Sequence, residues 1–574
     1  MKFFHVYNED YFEGLVKNNL INEDTGFKIQ HVFSLPDEMK FNKFAKKGSK
    51  LYDIIKNGSM PFYVDRITGG VTYHSYDFDK SLIKEYERLL GEWFLGVQLH
   101  ESASNRRVDW AKLLKFFDGD KGPYDLSIIQ KNFIREHATT PDGKQLYGFS
   151  QGTPEEYAKM TYAQTPADFD REIRQLFLSR MDATDGHIIP CDSYYLFTKL
   201  QDEMGMKTFM PEVGCQIPLM RLAVALARGV ASGAKKSWGV YYETWMHTKE
   251  SGYTMPVYNS DPGNEWFLTQ EAHPDDFTTH GHNGGSSRLL QKRIYYYALM
   301  SGADYFSEEW GLNCSYSSMK TFELSPYGEV KKEFINDARS MKKIKAYIPF
   351  AIVLPRDCYC VEIPEPPAEF SPYVHRGEYM RCILTEDEKK YYGRIEDLLY
   401  TIYGRHGKAY GNEGHTVTNS RIGDLFDIIY EDSSNEVLSK YDTLIDATPS
   451  GKIAAKLGEK YRILKNVDTE KLLLDIEKRA REILPCYVDG LHWLISKDGS
   501  DNSYLSVFNN EGNERSLAYG DRIDHCADRT VEIKFKSECM PVVIKSSCGV
   551  KLEKKDGKTY RLAVPATEFV ILKY

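Results

Sequence analysis

The chain has 574 residues, 42% hydrophobic and 27% charged, too long for one ordinary core, so about two to four domains are expected. Its 74 Lys and Arg against 83 Asp and Glu leave a net charge of −9, which speaks against a nucleic-acid binder with its basic footprint. No run of about 18 apolar residues occurs, so no membrane span is expected.

The opening MKFFHVYNEDYFEG carries one Lys and a very short apolar patch before its acids, unlike a signal peptide. Ten Cys without regular spacing read as reduced thiols, and a cytoplasmic location is expected. Cys358 and Cys360 do not form a CxxC pair, and no Cys/His set has zinc-site spacing. Neither a metal nor a cofactor is therefore expected. The 40 Tyr and 7 Trp suit sugar rings and ordinary cores alike.

In chain order, short apolar runs read as strands at Phe3–Tyr7, Lys28–Ser34, Phe62–Asp65 and Phe94–Leu99. Four more follow at His187–Cys191, Thr208–Met210, Trp238–Tyr242 and Asp304–Ser307. Segments such as KSLIKEYERLLG, LFTKLQDEMG, IPLMRLAVALARGVASGA and SSRLLQKRIYYYALMSGA repeat apolar residues three or four apart, the period of a helix. Several run into Gly, which suits the position just past a helix end. Strands alternating with helices imply a parallel sheet, and eight such units predict a (β/α)8 barrel over residues 1–345. The connections after the fourth and seventh strands are long and are expected on the C-terminal face, where such barrels keep their active sites.

From Tyr347 the pattern restarts. YIPFAIVLP reads as a buried strand and YYGRIEDLLYTIYG as a helix, with further strands in DLFDIIYED, YDTLIDATP and KYRILKNV. A doubly wound α/β domain over 346–485 is expected, and no GxGxxG opens a helix in it to support a nucleotide role. After Pro485, hairpin-linked strands such as TVEIKFKS, MPVVIKSS and EFVILKY predict a small β-sandwich over 486–574.

Catalytic side chains of a barrel project from the C-terminal strand ends. Here those ends are rich in carboxylates: Glu101 after strand four, Glu212 after six, Glu243 after seven, and Glu308 with Glu309 after eight. Asp192 follows strand five, and Asp65 and Arg66 follow strand three, with Trp245 and Trp310 nearby. One strand-end carboxylate is ordinary solvated surface. Several converging on one mouth beside aromatic rings, without metal ligands or a phosphate loop, fit glycoside hydrolysis. That reaction needs one carboxylic acid to protonate the leaving oxygen and a carboxylate to stabilise or attack the oxocarbenium-like centre.

Along FLGVQLHES, WGVYYETW, SGADYFSEEWG and IPFAIVLP the chain resembles family 42 β-galactosidases and neighbouring families of glycoside hydrolase clan A. Their layout is a catalytic barrel, a flavodoxin-like domain that builds a trimer, and a C-terminal β-domain. The resemblance implies Glu101 as acid/base and Glu243 as nucleophile. It departs at His100, which stands where those enzymes carry an Asn that binds the sugar 2-hydroxyl.

The expected protein is thus a retaining exo-glycosidase of β-galactoside-like or related specificity, a homotrimer acting on an oligosaccharide or glycoside. His100, Glu212, Trp245, Glu308, Trp310, Asp192 and Arg66 are its expected substrate contacts. Adjacent strand residues face opposite ways, so at most one of Glu308 and Glu309 can address the pocket. His247, His280 and His282 lie after strand seven, where THGHNGG reads as a Gly-rich turn rather than a metal site. Trp245 and Trp310 have a plainer reading as core caps. The alternative function is a carbohydrate-binding or regulatory barrel without turnover, because fold alone does not establish catalysis.

Overall fold

The computed structural model describes residues 1–30, 40–65, 78–101, 103, 165–192, 195–214, 219–244, 246–248, 252–256, 280–281, 286–309, 315–318, 320–358, 384–404, 416–449, 452–457, 462–464, 468–511, 513–515, 521–523 and 527–574. Eight parallel strands form its first sheet: β1 (Lys2–Val6), β2 (Thr25–Gln30), β3 (Phe62–Asp65), β4 (Phe94–His100), β5 (Ile188–Cys191), β6, β7 (Ser237–Glu243) and β8 (Tyr305–Glu309). The sixth comes in two pieces, Thr208–Phe209 and Glu212–Gly214, because Met210-Pro211 interrupts it and proline has no N–H to donate. Both pieces pair with β7, whose Tyr241 N–H reaches Pro211 O at 3.1 Å. The ladder runs from β5 back through β1 to β8, β7 and β6. Between β5 and β6 the Glu212 N–H donates to Asp192 O at 3.3 Å, so the barrel is nearly closed.

Each strand is followed by a helix, and local chemistry sets many of the ends. Asp79 caps Lys80–Leu90 by accepting the Ser81 N–H, and the helix stops at Gly91 with φ +56°. Thr165 caps Pro166–Ala183, with Pro at the first position, where its missing N–H costs nothing. Ser287 caps Arg288–Met300 and Ser325 caps Pro326–Ser340. Such caps are worth about 1 kcal/mol each. The second strand lies earlier than expected, at Thr25–Gln30 rather than Lys28–Ser34, and residues 31–34 fall outside the described residues.

The barrel interior is layered. Phe4, Tyr63, Ile189, Met210 and Tyr305 form an apolar plug toward the N-terminal end. Above it the inward positions turn polar: Lys28 and Gln30 on β2, Asp65 on β3, Gln98 and His100 on β4, Tyr241 and Glu243 on β7, Ser307 and Glu309 on β8, all buried. The outward positions of the same strands, such as Phe27, Ile29, Val64, Leu99, Val240 and Phe306, join the core under the helices. After β7 a small sheet orders His280–Gly281, Gly252–Pro256 and Met246–Thr248.

The next region holds a four-stranded parallel sheet in the order Phe426–Tyr430, Phe350–Leu354, Thr443–Asp446, Arg462–Leu464. It is accompanied by helices Glu386–Tyr403, Lys452–Leu457 and Thr469–Ile483. Thr385 and Glu388 form a reciprocal capping box at the first of these. The chain ends in two larger antiparallel sheets. One orders Lys345–Ala346, His492–Lys497, Ser503–Phe508, Phe569–Lys573 and Val542–Ser546; the other orders Cys486–Val488, Arg529–Phe535, Thr559–Val564 and Lys551–Lys554. In Arg529–Phe535 the buried Val531, Ile533 and Phe535 alternate with more exposed neighbours, the period-two signature read in the sequence.

The barrel and the later regions share one core. The barrel helix Met220–Ala234 lies against strand Phe426–Tyr430 so closely that a Cβ at Gly229 would collide with Ile428 O. Arg221 pairs with Asp424 at 2.7 Å and Arg228 with Asp427 at 2.6 Å, while His492 holds the other Asp424 oxygen at 2.8 Å. Among the described residues no helix is long and apolar enough to cross a membrane.

Candidate active site

The mouth is built from strand ends, and parallel register brings them level. Glu309 of β8 pairs with Glu243 of β7, which pairs with Gly214 of β6; one step lower, Ser307 pairs with Tyr241 and Tyr241 with Glu212. On the opposite wall His100 of β4 pairs with Cys191 of β5. Side chains alternate along each strand, so these positions share the inner face.

Carboxylate oxygens of Glu212, Glu243 and Glu309 lie within 4.8 Å of one another, and all three residues are buried. His100 Nε2 stands 3.6 Å from Glu212 Oε1, 3.7 Å from Glu309 Oε1 and 4.0 Å from Glu101 Oε2. Two carboxylate charges at 4.8 Å repel by roughly 3 kcal/mol in an effective dielectric near 20. The His100 imidazole stands beside two members of the trio, Glu212 and Glu309. Glu243 has a reserved space, because a Cβ at Gly214 would overlap its Cγ.

Glu101 differs from the other three. Its side chain keeps 16% exposure at the rim, and its backbone is left-handed at φ +48°, with its N–H bonded to Cys191 O at 2.5 Å. A left-handed non-glycine residue at a strand end is a local strain of the kind that collects at functional sites. Asp192 supports this corner. Its Oδ1 accepts the Ala103 N–H at 3.1 Å and its Oδ2 the Gln201 amide at 2.8 Å, so its side chain braces the chain just after Glu101.

Below the cluster lies a second polar layer. The Tyr241 hydroxyl donates to Asp65 Oδ2 at 3.1 Å, and Lys28 Nζ donates to that hydroxyl at 3.3 Å. Lys28 and Asp65 are fully buried, 4.0 Å apart. The Tyr241 ring meets the His100 ring edge-on at 5.5 Å between centroids, so this floor also carries His100. Tyr63 shares a 2.7 Å hydrogen bond with Ser307. Burial pushes the Cys191 thiol well above its ordinary pKa, and the carboxylates of Glu212, Asp65, Asp192 and Glu101 push the same way. Cys191 is therefore a neutral thiol and not a nucleophile.

One expected pocket residue is corrected. Glu308 turns outward, where Lys331 Nζ reaches its Oε2 at 2.6 Å and the Tyr295 hydroxyl donates to its Oε1. Glu309 occupies the inward position instead. The described residues thus bring together Glu101, Glu243, His100 and Glu212, with Asp192 just behind them. Arg66, Trp245, Trp310 and His282 lie outside the described residues, and His247 and His280 fall on the small sheet after β7. The strand-end carboxylate pattern alone does not point to Lys28, Tyr241, Cys191 or Gly214, and it places Asp65 only at the end of strand three. A signal for two of them is present: polar residues two apart at the ends of strands two, four, seven and eight, as in Lys28/Gln30, Gln98/His100, Tyr241/Glu243 and Ser307/Glu309.

No known protein-family model matches the sequence, and no curated protein matches it. Among solved structures, the chain is similar to the catalytic module of a family 98 glycoside hydrolase from Streptococcus pneumoniae TIGR4, at 8% identity over 100% of this chain and 98% of that one, with a TM-score of 0.44. It is also similar to a β-galactosidase from Rahnella sp. R3, at 8% identity, the same coverage and a TM-score of 0.41. A third is α-L-fucosidase isoenzyme 2 from Paenibacillus thiaminolyticus, at 9% identity over 96% and 87% of the two chains, with a TM-score of 0.38. Likenesses this distant assign neither a family nor an activity. What fold and site define is a barrel protein with a buried carboxylate–histidine cluster at the C-terminal ends of its strands.

Proposed function

We propose that the chain is a retaining, exo-acting glycoside hydrolase with Glu243 as nucleophile and Glu101 as acid/base. The observation that carries this reading is the convergence of strand-end carboxylates: Glu101, Glu212 and Glu309 lie around His100, and Glu243 clusters with Glu212 and Glu309. The Glu243 carboxylate attacks the anomeric carbon from its slot against Gly214. The bond to the leaving oxygen breaks as Glu101, at the wetter edge where an aglycone departs, gives that oxygen its proton. Glu101 then takes a proton from water, the hydroxide attacks the same carbon, and Glu243 leaves as a carboxylate.

His100 donates to a ring hydroxyl beside the reacting carbon, in place of the Asn expected there. Glu212 and Glu309 accept hydrogen bonds from hydroxyls of the terminal sugar, which is of the β-galactoside type or a related β-glycoside. Covalent capture of Glu243 removes one charge from the crowded cluster, which lets Glu101 act as a base in the second step. On the same reading the parallel-sheet region packs against other copies to form a trimer, which light scattering checks directly.

The decisive experiment combines a screen of nitrophenyl glycosides of both anomers with trapping by the matching 2-fluoroglycoside. Peptide mapping should place the label on Glu243. Turnover of Glu101→Gln on a good leaving group should be restored by azide, giving a glycosyl azide of retained configuration. Label on Glu212 or Glu309 would move the nucleophile, and absence of turnover on every glycoside would favour a binding protein.

A further inference from the structure

A second polar cavity lies outside the barrel, in the four-stranded parallel sheet. From strand Phe350–Leu354 the chain builds Phe426–Tyr430 on one side and later Thr443–Asp446 on the other, so the connections after Leu354 and Asp446 diverge. In open parallel sheets such a switch point leaves a crevice beyond the C-terminal strand ends, where small ligands sit. Here a cavity of about 550 Å³ adjoins the Asp446 end, within the size range of small-molecule sites.

Its walls come from three elements. Helix Glu386–Tyr403 supplies Tyr391, held by a 2.7 Å hydrogen bond from its hydroxyl to Ala447 O, and also Arg394 and Asp397. The strand end supplies Asp446, whose Oδ1 accepts the Thr448 N–H at 3.0 Å and the Thr448 hydroxyl at 2.6 Å. Helix Thr469–Ile483 brings its N-cap, Asp468. The Arg394 guanidinium lies 6.0 Å from the Tyr391 ring centre, and no ion pair engages it among the described residues.

We infer that this cavity is a second ligand site, separate from the barrel mouth, for a neutral polyhydroxylated ring such as a mono- or disaccharide. The charge balance selects the ligand. Among the described lining residues, Asp397, Asp446 and Asp468 face one guanidinium, a balance that repels a phosphate or a carboxylate, whereas a polyol brings O–H donors that carboxylates accept. Arg394 donates to ring and hydroxyl oxygens. The C–H face of the sugar packs on Tyr391 and on the apolar floor that Ile445 and Leu472 provide.

The site is tested on the full chain by hydrogen exchange, with and without millimolar methyl β-galactopyranoside, methyl β-glucopyranoside or lactose. At least one sugar should slow exchange in 445–449 and at the start of Thr469–Ile483. Arg394→Ala, a change at an exposed position, and Tyr391→Ala should each weaken that protection tenfold or more in sugar concentration while hydrolysis of nitrophenyl glycosides stays as in the parent. In Glu243→Gln the protection at 445–449 should persist, so this site can fail or survive independently of the glycosidase reading. No protection with any of the three sugars, protection indifferent to both variants, or protection by adenosine monophosphate instead would each overturn the inference.

Discussion

At the scale of single residues, the candidate site depends on strand parity. In Tyr305-Phe306-Ser307-Glu308-Glu309 the two glutamates are adjacent in sequence, yet one meets Lys331 under a helix and the other meets His100. The sequence leaves the choice open, because Tyr305 on the inward phase and Phe306 on the outward phase are both buried aromatic residues. We therefore expect Glu309→Gln to reduce glycoside turnover while leaving the urea midpoint near that of the parent. Glu308→Gln should do the reverse, lowering stability by about 1–3 kcal/mol as Lys331 loses its buried counter-charge while turnover per folded molecule persists. Gly214 is a second case. The Cβ of Gly214→Ala would fall on Glu243 Cγ and push the carboxylate aside. With Glu243 as the proposed nucleophile, a displacement of about 1 Å costs on the order of 10²-fold, so kcat should fall by about that factor, as steady-state kinetics on the screened glycoside would measure. Nothing in the spacing of PEVG announces this, because the contact is made with a strand that follows later in the chain.

At the scale of elements, the strands and helices of the barrel were largely readable. Phe62–Asp65 lies where its apolar run predicts, and helix Lys80–Leu90 begins at Asp79 and stops at Gly91. The sixth strand was legible only in part, since Pro211 splits it and its second half carries Glu212. Helix Met220–Ala234 shows a different limit. Its apolar residues spread around nearly the whole circumference, a pattern that means burial on both sides without saying against what. The structure supplies the partner, strand Phe426–Tyr430, and Gly229 is the point of closest approach. Gly229→Ala would gain helix propensity in isolation. Here the added methyl must displace the Ile428 carbonyl, and overpacking of this kind costs about 1–3 kcal/mol, so the melting temperature should fall.

At the scale of the whole molecule, buried titratable groups tie stability to pH. Burial holds the His5 imidazole down to about 3, with Lys331 pushing the same way. Burial also lowers His492, although Asp424 opposes it. Both are neutral in the folded chain and would take a proton near pH 6.5 once unfolded. Their stabilisation is complete above about pH 6.5 and is lost as pH falls toward their depressed folded values. Burial by itself would raise Asp424, but Arg221, His492 and Tyr297 hold it below the usual carboxylate range, which adds a further loss below about pH 4. The urea midpoint should therefore drop between pH 7.5 and pH 5, and His5→Gln should flatten part of that slope. By itself the sequence determined the alternation of strands and helices, the eightfold parallel count and the carboxylate-rich strand ends, because backbone period, capping and burial of apolar faces act over a few neighbouring residues. Tertiary structure alone decided that Glu212, Glu243 and Glu309 share one buried cluster, that Lys28, Asp65 and Tyr241 lie beneath it, and that Arg221 and Arg228 join the barrel to the second sheet. Those relations depend on register and closure between segments up to hundreds of residues apart, where no local period carries information.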